Sequence, residues 1–192
     1  MSRYLVVDCE TDGLPRRWDA SLADLDNWPR IVQVAWALYD DDQTEMVAAA
    51  YLVRPDGFRI PPDAVRIHGI TTERATAEGR SLADVLAELA AVSDQADVVV
   101  AHNIGFDGRV IAAEFMRLGL VPPFMPDEMV CTMMESAAYC ELPGPHGNKW
   151  PKLAELHEVL FGSAFDGPHD ARNDVAACAR CYFELRSRGV IA

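Results

Sequence analysis

The stretch Tyr4-Leu5-Val6-Val7-Asp8-Cys9-Glu10, running on into Thr11-Asp12-Gly13-Leu14, decides how this chain is read. Tyr4 to Val7 are apolar and partly β-branched, the composition of a buried central strand. Strand periodicity puts Asp8 and Glu10 on one face and Cys9 on the other. A buried strand that ends in two carboxylates must neutralise them, and a divalent metal does so most directly. Asp-x-Glu alone is common by chance, so the rest of the chain has to supply partners.

Two further segments do. His102-Asn103-Ile104-Gly105-Phe106-Asp107 follows the apolar run Val98-Val99-Val100-Ala101, and His169-Asp170-Ala171-Arg172-Asn173-Asp174 lies far downstream. The order Asp-x-Glu, His-Asn-x-x-Phe-Asp, His-x-Ala-x-x-Asp resembles the DEDD superfamily of 3′–5′ exonucleases, in its histidine subgroup, the proofreading-exonuclease and ribonuclease T-like family. The resemblance runs from residue 4 to about residue 185. Pro29-Arg30-Ile31-Val32-Gln33-Val34-Ala35-Trp36 resembles the family's second strand, and His68-Gly69-Ile70-Thr71 a recurring turn. The resemblance implies an α/β ribonuclease H-like fold. Its five-stranded mixed sheet would be flanked by helices, with the second strand antiparallel to the rest.

Length and composition suit that reading. At 192 residues with half of them hydrophobic, residues 1–192 fit a single exonuclease domain with a sizeable core. No apolar run reaches the length of a membrane span, and the chain enters a strand almost at once. The expectation is a cytoplasmic protein with no membrane contact. The formal charge of −13 argues against broad electrostatic attraction to nucleic acid. It does not exclude a nuclease that grips only a few nucleotides at a metal-filled site, because part of the charge is the carboxylate cluster, which metals would offset. Five cysteines do not suggest a disulfide framework. Cys178 falls on the apolar stripe Val175, Cys178, Ala179, Tyr182, Leu185, so the Cys178-x-x-Cys181 pair reads as buried free thiols.

Residues 3–8, 30–39, 45–54, 97–101 and 127–131 are predicted strands. Ser81 caps a helix with Leu82, Val85, Leu86, Leu89 and Ala90 on one side. Further helices are predicted with Val110, Ile111, Phe115 and Leu118 on one face, over 132–140, from Pro151 to Gly162, and over 170–188. The polar stretch 15–28, with Arg16, Arg17, Trp18 and Trp28, is longer than a hairpin needs. It is either a surface insertion or a rim that meets substrate.

Phosphodiester hydrolysis needs an activated water, charge neutralisation at the phosphate and a stabilised leaving oxygen, which two divalent ions roughly 3.5–4 Å apart can supply. The ligand candidates are Asp8, Glu10, Asp107 and Asp174. Hard oxygen donors select Mg²⁺ or Mn²⁺. The resemblance implies that Asp8 bridges both ions, that Glu10 and Asp174 complete the ion carrying the water, and that Asp107 serves the other. His169, whose ordinary pKa near 6.5 suits the task, would be the general base. Asp170 reads as the N-cap of the last helix. His102 and Asn103 would shape the turn that aims Asp107. Phe106 either stacks on a terminal base or fills the core. The resemblance puts Thr11, Gly13 and Leu14 against the terminal nucleotide, although Gly13 also fits a tight turn for backbone reasons. Lys149 and Trp150 could hold phosphate and base, or be no more than a solvated helix start.

The implied activity is metal-dependent hydrolysis at the 3′ end of single-stranded DNA or RNA, releasing 5′-mononucleotides. The resemblance also leaves open a homodimer and an association with a polymerase. Two other classes compete: a non-catalytic nucleic-acid- or protein-binding module on the same fold, and a metal-dependent phosphoesterase acting on a small nucleotide.

Overall fold

The computed structural model describes residues 1–125 and 129–191. Strand β1 (Tyr4–Thr11) is central. On one side it pairs antiparallel with β2 (Ile31–Tyr39), which pairs antiparallel with the edge strand β3 (Glu45–Leu52). Two short helices follow, α1 (Pro62–His68) and α2 (Thr72–Glu78), then α3 (Leu82–Ser93). Strand β4 (Val98–Ala101) lies parallel to the other side of β1, helix α4 (Asp107–Arg117) follows, and β5 (Val130–Cys131) closes the sheet parallel to β4. The order is β3-β2-β1-β4-β5, with β2 alone antiparallel to the rest, the ribonuclease H-like arrangement. After the sheet come α5 (Thr132–Glu135), α6 (Ala137–Cys140), a small hairpin of β6 (Pro143–Gly144) and β7 (Gly147–Asn148), α7 (Leu153–Phe161) and α8 (Ala171–Ser187).

Alternation along β1 builds two cores. Leu5, Val7 and Cys9 face α3 and α4, packing with Val85, Leu89, Ile111 and Phe115. Tyr4 and Val6 face α7 and α8, packing with Leu156, Val175, Cys178 and Tyr182. Asp8 and Glu10 continue the α8-side row, so the strand's pleat aims both carboxylates at the last helix. All five cysteines are buried free thiols, as expected. No helix among the described residues is long and apolar enough to cross a membrane.

Several local expectations change. The single helix over 132–140 is two short ones meeting at Ser136, a buried residue with φ −90° and ψ −6°. Helix α7 starts at Leu153 rather than Pro151. The Glu155 carboxylate caps the Lys152 N–H (2.8 Å), and the Pro151 carbonyl is held from outside the helix by His102 (3.0 Å). Helices α1 and α2 are too short to leave a helical period in the sequence. Ala64 of α1, Ala75 of α2 and Ile70 between them are buried with Val32 in a satellite core. Of the strand expected over 127–131, Val130 and Cys131 are strand, and 127 and 128 lie outside the described residues.

Candidate active site

The last helix brings the distant third carboxylate to β1. Asp170 caps α8 by accepting from the Arg172 N–H (3.0 Å), as its position predicts. Asp174 follows one turn later on the buried face. What ties this end of α8 to the sheet is Gln33, opposite Glu10 in the β1–β2 register. Its Oε1 accepts from the Ala171 N–H (3.0 Å), and its Nε2 reaches Asp170 Oδ1 (3.4 Å). Sequence reasoning passed over Gln33. The available signal was one amide in the middle of Ile31-Val32-Gln33-Val34-Ala35-Trp36, a buried polar group in need of partners. Through this bracket, carboxylate oxygens of Asp8, Glu10 and Asp174 lie within 4.8 Å of one another.

Asp107, the fourth expected ligand, opens α4 from the opposite face of the sheet. The Asn103 carbonyl accepts from both the Phe106 and Asp107 N–H groups (2.8 and 3.0 Å), so Asn103 does shape the turn before it. The Asp107 carboxylate is not part of the three-residue cluster. Its Oδ1 accepts from the Cys9 backbone N–H (3.1 Å) and lies 3.4 Å from the Cys9 Sγ. It thus straddles the strand between the two β1 carboxylates.

The electrostatics are those of acidic groups crowded without a counter-charge. Burial, and then repulsion from Asp107, Asp174 and Glu10, hold the Asp8 carboxyl well above the usual carboxylate range. Burial and then Asp174 and Asp107 push Glu10 up to about 8. Burial raises Asp107 to about 7 against the opposing Cys9 hydrogen bonds, and Asp174 to about 6 against the His169 N–H. Such a set of hard oxygen donors fits a divalent cation, which would relieve the repulsion that raises all four.

His169 sits just before α8 with φ +66°, a left-handed conformation uncommon for a residue with a Cβ. The fold holds it there through its own N–H, which donates to Asp174 Oδ2 (2.9 Å). Strain of this kind clusters at functional sites. The imidazole is exposed and lines the same cleft as the carboxylates. Burial, and to a smaller extent the nearby His169, lowers the His68 pKa. The His68 Nδ1 accepts from the Ile70 N–H (3.0 Å), which leaves Nε2 to donate to the Thr11 carbonyl (3.2 Å). The His68-Gly69-Ile70-Thr71 turn therefore clasps the end of β1.

Asp8, Glu10, Asp107, Asp174 and His169 line one cleft of about 420 Å³ together with Phe106, Met133, Trp150 and Lys152. Phe106 packs against the α4-side core, as one of its two expected readings has it, and it also lines the cleft. Trp150, also in the lining, is 61% exposed. Its segment is held there by His102, whose Nε2 donates to Pro151 and whose Nδ1 meets the Thr132 hydroxyl (2.9 Å). Burial lowers His102 to about 4, so the ring stays neutral at physiological pH. Other substrate candidates stand apart. Lys149 faces the β6–β7 hairpin with its ammonium paired to Glu155, and Lys152 takes the cleft wall instead. Gly13 and Leu14 line a neighbouring depression, with Leu14 71% exposed. Thr11 is buried, and its hydroxyl donates to the Gly13 carbonyl (2.6 Å). Gly13 has no positive φ, and a Cβ there would meet nothing within 4 Å, so the backbone reason for that glycine is absent.

The 15–28 insertion is anchored rather than loose. Trp28 is buried with Ala20 against Ala113 of α4, and its Nε1 donates to the Ser21 carbonyl (3.1 Å). Arg117 donates to the carbonyls of Leu25, Trp28 and Pro29. Asn27 clamps both backbone groups of Arg17 (2.8 and 2.9 Å). Next to that clamp, Trp18 stands 53% exposed with its ring 6.1 Å from Phe106.

The family model RNase_T, described as Exonuclease, matches residues 5–182. Comparison with curated protein sequences gives no match. Among solved structures, E. coli Exonuclease I in complex with a dT13 oligonucleotide has a TM-score of 0.74 at 22% identity, with 98% of this chain and 42% of that one covered. A zinc-ion-bound E. coli Exonuclease I complex with single-stranded DNA has a TM-score of 0.73 at 24% identity, over 97% of this chain and 41% of that one. This chain spans about two fifths of the length of those Exonuclease I chains, and the likeness shows the shared fold. With the family match extending from β1 to α8 and the acidic motifs in their expected order, the chain belongs to this exonuclease family, within the DEDD superfamily of 3′–5′ exonucleases.

Proposed function

We propose that the protein hydrolyses phosphodiester bonds at the 3′ end of single-stranded DNA or RNA and releases 5′-mononucleotides, as a histidine-subgroup member using two Mg²⁺ or Mn²⁺ ions. The observation that carries this reading is the meeting of Asp8, Glu10 and Asp174 within 4.8 Å, in a cleft that also holds Asp107 and His169. Asp8, Glu10 and Asp174 would hold one ion and Asp8, with Asp107 nearby, the other. Bound there, the ions would supply charge neutralisation at the phosphate and make a water acidic enough to give up its proton and become a nucleophile.

The chain's own groups do the rest. The His169 imidazole accepts the proton of the attacking water, the general-base task that a histidine placed beside the ligand set can perform. The Asp174 carboxylate takes the His169 N–H and so fixes the base relative to its own ligand position. Phe106 and Trp150, both lining the cleft, offer faces to a base and favour an unpaired strand, since a paired base presents no free π-face. E. coli Exonuclease I is recorded in complex with dT13 and dA16 oligonucleotides, which favours a single-stranded substrate here too. The test is digestion of 5′-labelled DNA and RNA of equal sequence with Mg²⁺ and with Mn²⁺. A ladder shortening from the 3′ end, with circular DNA spared, is expected. Cleavage of circles, or an absence of any product, would overturn the reading. Hydrolysis confined to mononucleotide esters would point to a small-nucleotide phosphoesterase.

A further inference from the structure

The aromatic wall of the cleft does not end at Phe106. Trp18, from the 15–28 insertion, lies against Phe106 with ring centroids 6.1 Å apart at 50°. Phe106 lines the cleft, and Trp18 stands one ring further out, beyond the residues around the carboxylates. The two tryptophans of the insertion are used differently. Trp28 is 3% exposed and pins the loop to α4, whereas Trp18 keeps 53% of its surface in water. A loop that needed only an apolar anchor already has one in Trp28. Leaving a large indole half exposed forfeits the burial free energy such a side chain would otherwise gain.

The loop also holds Trp18 in place. The Arg17 N–H donates to Asn27 Oδ1, and Asn27 Nδ2 donates to the Arg17 carbonyl, while Arg117 and Arg109 tie the far side of the loop to α4. A rigid aromatic binds with little ordering cost. The loop's charges say which part of a strand it meets. Arg16 and Arg17 are offset by Asp19, Asp24 and Asp26, so the segment is poorly suited to gripping phosphates and well suited to the neutral face of a base.

We propose that Trp18 and Phe106 together form a stepped stacking platform, on which Trp18 receives a base upstream of the 3′-terminal nucleotide. The inference rests on the proposed nuclease reading of the same cleft. It makes the insertion a determinant of substrate length, with oligomers long enough to reach Trp18 preferred over the shortest ones.

The test compares wild-type protein, Trp18→Ala and Trp18→Phe on a 5′-labelled pentathymidylate and on versions abasic at one position each, reading kcat/KM with Mg²⁺. Trp18→Ala should lower kcat/KM on the intact pentamer by about 5- to 150-fold, the range for losing one base–aromatic stack. Trp18→Phe should recover most of the loss. At one interior position, removing the base should cost the wild type that same factor and cost Trp18→Ala almost nothing. Equal rates for wild type and Trp18→Ala, or losses that multiply at every position, would overturn the platform and leave the nuclease reading standing. If the wild type cleaves none of the substrates, the nuclease reading falls. The same cycle read as affinity by fluorescence anisotropy then decides the platform alone, with coupling at one position upholding it and its absence refuting it. Melting curves of the variants check that exposed Trp18 is dispensable to the fold.

Discussion

Replacing Glu10 with Gln should stabilise the metal-free protein at pH 8 and hardly affect it at pH 5. Glu10 lies mostly buried beside Asp8 and Asp174, and its carboxyl is pushed from its ordinary 4.5 up to about 8. The folded protein therefore holds a proton that the unfolded chain has released, and stability falls as pH rises from about 4.5 through about 8. At about 1.36 kcal/mol per pH unit between the two values, the ceiling on the loss above pH 8 is about 5 kcal/mol. Glu10 keeps some contact with solvent and shares its repulsion with its neighbours, so about 2 kcal/mol is the amount Gln should recover. For a chain of this size that corresponds to a rise of about 4–8 °C in melting temperature. At pH 5 most of the effect is absent, because the wild-type carboxyl is then protonated in the fold. Adding Mg²⁺ at pH 8 should raise the wild-type melting temperature and shrink or reverse the advantage of Glu10→Gln, since a ligand bound to the folded state stabilises it by mass action. Differential scanning fluorimetry at both pH values, with EDTA or Mg²⁺, reads all four conditions. A gain of equal size at pH 5 and pH 8, or none at pH 8, would refute the view that burial and the neighbouring carboxylates keep Glu10 protonated in the fold when no metal is bound.

Other perturbations have equally definite outcomes. Asp8→Ala and Asp174→Ala should each abolish detectable hydrolysis while the circular-dichroism spectrum stays native, and unchanged turnover in Asp8→Ala would sink the mechanism. His169→Ala should slow the reaction by roughly 10²–10⁴, with little change in metal affinity by titration calorimetry. Retention of the full rate would reduce His169 to a turn residue. Gln33→Leu leaves the Ala171 N–H without its partner in a buried setting, so it should destabilise the fold by about 1–3 kcal/mol and weaken metal binding by loosening Asp174. A variant that melts lower with metal affinity intact would limit Gln33 to a structural part.

The sheet and the carboxylates were legible because they follow period-two alternation and fixed motifs. Asp8, Glu10 and the row Tyr4, Val6 share a face by pleat alone, and Asp170 declares itself a cap by its place before Ala171. What the sequence hid are contacts that join distant segments through a single hydrogen bond. Gln33 to Ala171, His102 to Pro151 and His68 to Thr11 each span more than fifty-five residues or close to fifty, and no local pattern encodes such a pair. The short helices α1 and α2 escaped because seven residues give less than the window in which helical periodicity can be told from chance. Lys149 looked like a phosphate ligand because its partner Glu155 lies six residues on, one turn into a helix whose start the proline placed too early. The turn argument for Gly13 failed because the chain passes it without a positive φ.

The bracket between Gln33 and the start of α8 also bears on the order of events during folding. Asp8 and Asp174 are far apart in the chain, so the cluster forms only after one of the longest loop closures the fold requires. β1, β2 and β3 can pair through successive hairpin-like contacts soon after they are made. A nascent chain that has presented all of them still lacks Ala171 to receive the Gln33 oxygen, and Asp174 to complete the ligand set. Until then Asp8 and Glu10 stand as two carboxylates on a strand whose α8-side face is bare. Completion of the carboxylate cluster therefore waits on the closure that brings the start of α8 to the sheet.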